Sequence, residues 1–144
     1  MDELLRRIFG IHLCRLWVGQ GPDETWAAGL PQEIPAAYPT RCLEPEELIP
    51  YVRPDNGLSE AFLRRAQSKG DQCVATFHDG ELVSYGFDSR TRTRVNDHLD
   101  IDIPGGLLYG YKVWTHPDHR RRGISHLHGR AKFDRYGFRR EKSV

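Results

Sequence analysis

Cysteine, sustained apolar runs and an excess of either charge are all scarce in this chain, and each scarcity removes a class of protein. The cysteines are Cys14, Cys42 and Cys73, odd in number and far apart. They form no disulfide framework, which points to a reducing compartment, the cytoplasm. No Cys-His signature marks any of them as a nucleophile, and buried structural thiols are expected instead. The opening "MDELLRRIFGIHLCRLWVG" is apolar in part, but His12, Cys14 and Arg15 interrupt it and acids stand at Asp2 and Glu3. A secretory core or a membrane span would be longer and unbroken, so no targeting signal and no membrane association are expected. The formal net charge is +1, so no global field draws nucleic acid, and any electropositive site must be local. There is no internal repeat.

What is present fits one soluble globular domain: 144 residues, 38% hydrophobic and 28% charged. Residues 11–18, "IHLCRLWV", alternate as a strand. A Gly- and Pro-rich connector without period follows, packed by Trp26 and Ile34. "TRCLEPEELIPYV" reads as a short strand running into a helix, with Pro45 in its first turn, Glu46 and Glu47 at its positive end, and Pro50 as its stop. Ser59 caps a second helix, Leu58 and Leu63 staple it, and Gly70 closes it. "QCVATF" and "ELVSYGF" flank His78-Asp79-Gly80, the strongest hairpin signal in the chain. The polar segment "DSRTRTRVNDHLDIDIPGG" is expected as a loop or a partly exposed strand. Residues 107–115, "LLYGYKVWT", alternate as a strand with Tyr109, Tyr111, Val113 and Thr115 on one side. Leu108, Gly110, Lys112 and Trp114 take the other. A helix begins after Gly123, with Ile124, Leu127, His128 and Ala131 on one side and Gly137 near its end. The order implies an α+β domain around a mostly antiparallel sheet.

The segment joining that last strand to the helix is "THPDHRRRGIS". At a helix N-terminus the first backbone N–H groups have no intrahelical partner, and with the macrodipole they form an anion site. Gly123 lets a phosphate approach the backbone, a small Ser125 serves the same need, and Arg120, Arg121 and Arg122 add charge at the rim. The bland alternative is a solvated basic turn.

"VWTHPDHRRRGIS" resembles the acyl-CoA-binding motif of the GNAT superfamily of N-acyltransferases: strand, Pro, Arg/Gln-x-x-Gly-x-Gly/Ala, helix. Arg120, Gly123 and Ser125 fall on the marked positions; Ser125 departs from Gly or Ala, and Arg121 stands where many members have Gly. "TRCLEPEEL", "LSEAFLRRAQSKG" and "CVATFHDGELVSYGF" resemble the upstream elements, so the likeness covers about residues 38–136. The N-terminal strand and connector at 1–37 lie outside it, and it implies a GNAT-like domain, C-terminally incomplete, at 38–144. It also implies acetyl-CoA or another acyl-CoA as cosubstrate, an amine as acceptor, and no metal.

In such a protein the pantetheine arm would bond the strand backbone near Val113 and Thr115. The pyrophosphate would lie on residues 120–125, Ile124 included. The amine would attack the thioester directly after losing a proton. Backbone N–H near Val113 or Trp114 would polarise the carbonyl. The family often carries an acid on this strand, and none stands here; Tyr109 and Tyr111 are the candidate proton relays, though paired aromatics on a strand also suit a core. Asp97, Asp100 and Asp102 could hold a cationic amine or line a solvated edge. "RREKSV" stands about where a further family strand should start, so a truncated sheet, or a homodimer that completes it, is expected. Otherwise strand 107–115 is an open edge. The alternative function is a non-catalytic remnant that binds CoA or serves as a protein-interaction module.

Two other constellations stand in the sequence. His116, His119, His126 and His128 crowd the turn, but no Cys or acid pair completes a zinc tetrahedron, and His126 and His128 project about 200° apart on a helix. Arg90, Arg92, Arg94 and the 120–122 cluster could meet nucleic acid, but no reader motif accompanies them.

Overall fold

The computed structural model describes residues 27–96, 99–103 and 108–136. The expected strand at 11–18, Trp26, Asp97 and the helix end at Gly137 lie outside them. Strand β1 (Thr40–Leu43) runs into the segment Pro45–Tyr51, which is a 3₁₀ helix rather than an α-helix. Pro50 lies inside it. Proline has no N–H to give and its ring crowds the carbonyl four residues back, so an α register cannot run through this segment. The start behaves as read: Glu44 and Glu47 cap each other reciprocally, the Glu44 N–H donating to Glu47 Oε2 at 2.8 Å.

Helix α1 (Glu60–Lys69) has the ends its sequence announces. The Ser59 hydroxyl accepts from the Phe62 N–H at 3.2 Å, and Gly70 turns left-handed at φ 71° to end the helix. Strands β2 (Gln72–His78) and β3 (Glu81–Ser89) form the hairpin. Asp79 at φ 50° and Gly80 at φ 82° give two successive left-handed residues, the turn that matches the twist of paired strands. The polar segment forms a small separate hairpin of β4 (Thr93–Asn96) and β5 (Leu99–Ile101). Strand β6 (Tyr109–Thr115) returns to the main sheet, and helix α2 (Ile124–Tyr136) follows a short 3₁₀ turn, Pro117–His119.

The main sheet runs β1-β2-β3-β6 with every pair antiparallel, the α+β arrangement the pattern implied. Among the described residues β6 is an edge strand. Register sorts the side chains into rows across the sheet. Leu43, Cys73, Phe87 and Tyr111 form one row, and Arg41, Ala75, Tyr85 and Trp114 the next on the same face. On the opposite face lie a row of hydroxyls (Thr40, Thr76, Ser84, Thr115) and a row of Cys42, Val74, Gly86 and Val113.

The simple alternation expected for 107–115 is corrected here. Gly86 pairs with Val113 but Phe87 pairs with Tyr111, so Lys112 is an extra residue, and it sits at φ 44°. This β-bulge turns the strand over. Tyr109 and Tyr111 share a face with Trp114, while Val113 and Thr115 face the other way.

The two faces pack differently. Leu48 of the first 3₁₀ helix and Leu63 and Ala66 of α1 bury themselves against Cys73, Ala75, Phe77, Tyr85 and Phe87. Each fully buried leucine or phenylalanine there contributes roughly 1.5–3 kcal/mol. Asn56, wholly buried, closes this side: its Nδ2 donates to the Tyr51 carbonyl at 2.7 Å and its own carbonyl accepts from the Tyr85 hydroxyl at 2.7 Å. Helix α2 covers the hydroxyl-bearing face with Ile124, Leu127, His128 and Ala131.

Candidate functional site

The site is the passage from the edge strand to α2. The His116 N–H donates to the Val83 carbonyl at 2.8 Å and pins the end of β6 to β3. Pro117 then starts the 3₁₀ turn, closed by the Arg120 N–H on the Pro117 carbonyl at 3.2 Å. The Arg120 side chain folds back, its Nε donating to the Thr115 carbonyl at 3.1 Å. It therefore braces the turn. Arg121 at φ 58° and Gly123 at φ 72° bracket Arg122 and swing the chain into the helix. Gly123 is needed for its backbone: a Cβ there would meet nothing closer than His126 Nδ1 at 3.9 Å.

The Gly123 carbonyl accepts from His126 N–H at 2.9 Å, which starts the helical ladder. The N–H groups of Ile124 and Ser125 belong to the first turn, which has no intrahelical acceptors. Arg121, Arg122 and Ser125 are exposed around them. An open cleft lies against this corner, bounded by Arg122, Gly123, His126 and Leu127 and, across from them, Gly29, Leu30 and Pro31 of the connector. Backbone donors, a left-handed glycine and exposed guanidinium groups beside an open cleft are the physical requirements of an anion cradle.

Val113 is 71% exposed on the edge strand, and Thr115 lies two residues before the turn. These join the cradle on one side of the sheet. Tyr109 and Tyr111 stack with centroids 6.4 Å apart on the other side. The Tyr111 hydroxyl donates to buried Asp71 at 2.5 Å, and Lys69 Nζ approaches the same carboxylate at 3.2 Å. Burial, then the Asp71 bond, push the Tyr111 phenol well above its ordinary range. Trp114 stacks on Tyr85 at 5.8 Å.

Register also assembles groups that no local pattern signalled. Asp88 of β3, opposite Gly110, is buried and ion-paired with Lys132 of α2. His128, one turn earlier, is 8% exposed and lies over Gly86; its Nε2 is buried and has no hydrogen-bond partner among the described residues. Burial, and then the Lys132 charge, lower its pKa to about 4. A period reading put His128 on the buried side of the helix but could not show what lay beneath it.

The other sequence candidates are placed as follows. Asp100 bonds Arg94 at 3.2 Å and Arg92 at 3.4 Å within the small hairpin, and those guanidinium groups hold its carboxyl below the usual range. Asp102 reaches Arg92 at 3.9 Å. His126 lies in the cleft, while His116 and His119 pack ring against ring, 5.7 Å apart. Among the described residues no three His, Cys, Asp or Glu side chains converge as metal ligands. Burial pushes the Cys73 thiol up, as suits a core residue. None of the helices among the described residues is long and apolar enough to cross a membrane.

No protein-family model matches this chain, and no curated protein does. Among solved structures it is similar to the ribosomal-protein-alanine N-acetyltransferase of Brucella melitensis biovar Abortus 2308. The identity is 20%, over 72% of this chain and 76% of that one, with a TM-score of 0.42. A likeness of that degree assigns no chemistry to the chain.

Proposed function

We propose that this chain is an N-acyltransferase of the GNAT type, moving an acetyl or other short acyl group from acyl-CoA to an amine. The observation that carries the reading is the turn itself: an edge strand with a bulge, then Arg120 to Gly123 with two left-handed residues, then a helix that begins beside an open cleft bounded by Arg122 and Gly123. A diphosphate carries the charge and oxygen count that such a cradle favours. The exposed Val113 edge then offers backbone groups to an amide-bearing arm, as a strand would.

In this reading Arg120 positions the turn through Thr115, Arg121 and Arg122 meet the phosphates, and Gly123, Ile124 and Ser125 supply the backbone donors. The bulge leaves Lys112 out of the pairing with β3, and beside it a backbone N–H near Val113 or Trp114 would polarise the thioester carbonyl. The amine nitrogen attacks that carbonyl, its proton leaves to a base or water, and the thiolate of CoA departs. Tyr109 and Tyr111 remain the proposed proton relays, with Tyr111 acting through the hydroxyl that now bonds Asp71.

Calorimetric titration of acetyl-CoA and CoA into the full chain tests the reading, with Gly123→Glu as the control. The variant places a carboxylate and a strained left-handed side chain at the cradle. Binding by the parent, reduced at least a hundredfold in the variant, is expected. A folded parent that binds neither ligand would leave the arginines as surface charge.

A further inference from the structure

Three segments far apart in sequence meet in one aromatic stack beside the arginine turn. Tyr38 ends the connector, His78 ends β2, and His119 ends the 3₁₀ turn. The Tyr38 ring stacks on His78 at 4.8 Å and 20°, and meets His119 edge-on at 5.7 Å. The two imidazoles lie 4.9 Å apart. Polar bonds fix the arrangement: Tyr38 hydroxyl and His119 Nδ1 are 3.1 Å apart, and His78 Nδ1 is 2.8 Å from the Ala37 carbonyl. A carbonyl only accepts, so His78 carries its proton on Nδ1, and its Nε2 lies 3.4 Å from the Asp79 carboxylate.

We propose that Tyr38, His78 and His119 form a pH-operated clasp between the connector and the arginine turn, closed while His119 is neutral and released when His119 takes a proton. The Ala37 carbonyl and the Asp79 carboxylate flank His78, and its ring lies against the Tyr38 face. A proton on His119 places a cation in ring contact with His78 and near Arg122. Every group around His119 bears on that step. Tyr38 faces it from the connector and His78 from the hairpin. His116, Asp118 and Arg122 face it from its own turn. Only Asp118 favours the charged ring; burial first, then His78, Arg122 and His116, oppose it and lower the pKa of His119 below 6.5.

The consequence reaches the cleft, because Gly29, Leu30 and Pro31, a few residues before the clasp, form its outer wall. Release loosens that wall, so CoA affinity falls below the transition. This last step rests on the acyl-CoA reading; the clasp does not.

Nuclear magnetic resonance of the full chain between pH 8 and 5 tests both parts. The Tyr38 amide, bonded to the Pro35 carbonyl at 2.9 Å, reports the connector, and the Leu63 amide in α1 reports the whole fold. The Tyr38 and His119 signals are expected to move with one midpoint below 6.5, with Tyr38 exchange protection falling at least tenfold while Leu63 is unchanged. His78→Gln should shift that midpoint upward, and Tyr38→Phe should uncouple the two signals. Independent titration of Tyr38 and His119, or parallel loss of Leu63 protection, overturns the clasp. CoA affinity that stays constant through a confirmed release overturns only the effect on the cleft. Absence of CoA binding at pH 8 removes the acyl-CoA reading and leaves the clasp standing.

Discussion

One sheet in this molecule carries two unlike faces. Toward α1, rows of Leu43, Cys73, Phe87, Tyr111 and of Ala75, Tyr85, Trp114 build an aromatic layer whose hydroxyls find partners, Tyr85 on Asn56 and Tyr111 on Asp71, while Asp71 Oδ1 has none among the described residues. Toward α2, the rows hold hydroxyls, Gly86 beneath His128, Gly110 opposite Asp88, and the charged pair Asp88–Lys132. There His128 keeps a buried nitrogen without a partner among the described residues. A buried unpartnered polar atom costs about 1–3 kcal/mol, and both faces carry one, Asp71 Oδ1 and His128 Nε2. The proposed cofactor path, from Val113 through Thr115 to Ile124, runs along the α2 face. The faces differ in what fills them: packed aromatic rings on one, hydroxyls and a charged pair on the other.

The largest expected effect lies on the aromatic face. Phe87→Ala removes a wholly buried ring in edge contact with Phe62 at 4.9 Å and Tyr85 at 5.6 Å. A loss of roughly 3–5 kcal/mol should appear in urea unfolding. Ser84→Ala on the opposite face removes hydroxyl bonds to Trp114 carbonyl and Thr115, both 2.9 Å, and should cost about 1 kcal/mol. Equal losses at the two sites would erase the contrast.

His128 gives the next effect, through pH. The folded chain holds this imidazole neutral to about pH 4, whereas the unfolded chain protonates it near 6.5. Between those values the unfolded state binds more protons, so stability is full above pH 6.5 and falls as pH drops toward 4. At about 1.4 kcal/mol per pH unit the loss approaches roughly 3 kcal/mol. His128→Met keeps the volume and removes the titration. Urea midpoints measured at pH 7 and 4.5 should therefore converge in the variant and separate in the parent; the same slope in both would place the acid sensitivity elsewhere.

Much of the aromatic side was legible in the sequence because its signals are local. Ser59, Gly70 and Asp79-Gly80 each do their work within four residues, and the structure puts caps and turn where they stand. The helix expected at 45–51 came out tighter because Pro50 acts on the register inside the segment as well as ending it. Lys112 was invisible for a different reason: a bulge is a mismatch between two strands, and lysine carries none of the preference for positive φ that glycine or asparagine would advertise. Asp88, His128 and Lys132 share that fate, meeting only through the register of β3 and the placement of α2. Asn56 lay hidden in a Pro-and-Gly loop whose composition announces only a turn.

Arg121 offers the smallest effect and the sharpest division between fold and function. It occupies φ 58°, a conformation costing a non-glycine residue roughly 1–2 kcal/mol, yet its side chain is exposed and makes no hydrogen bond or ion pair among the described residues to offset that cost. Arg121→Gly relieves the strain but adds freedom to the unfolded chain, so a net gain of about 1 kcal/mol or slightly less is expected in thermal or urea unfolding. If the guanidinium meets a phosphate, CoA affinity should fall at the same time, by less than tenfold, as one exposed charge contributes about 1 kcal/mol. A variant that is more stable and binds more weakly would mean that the strain persists for the ligand's sake. Gain in stability with affinity unchanged would assign the cradle to backbone groups and Arg122 alone.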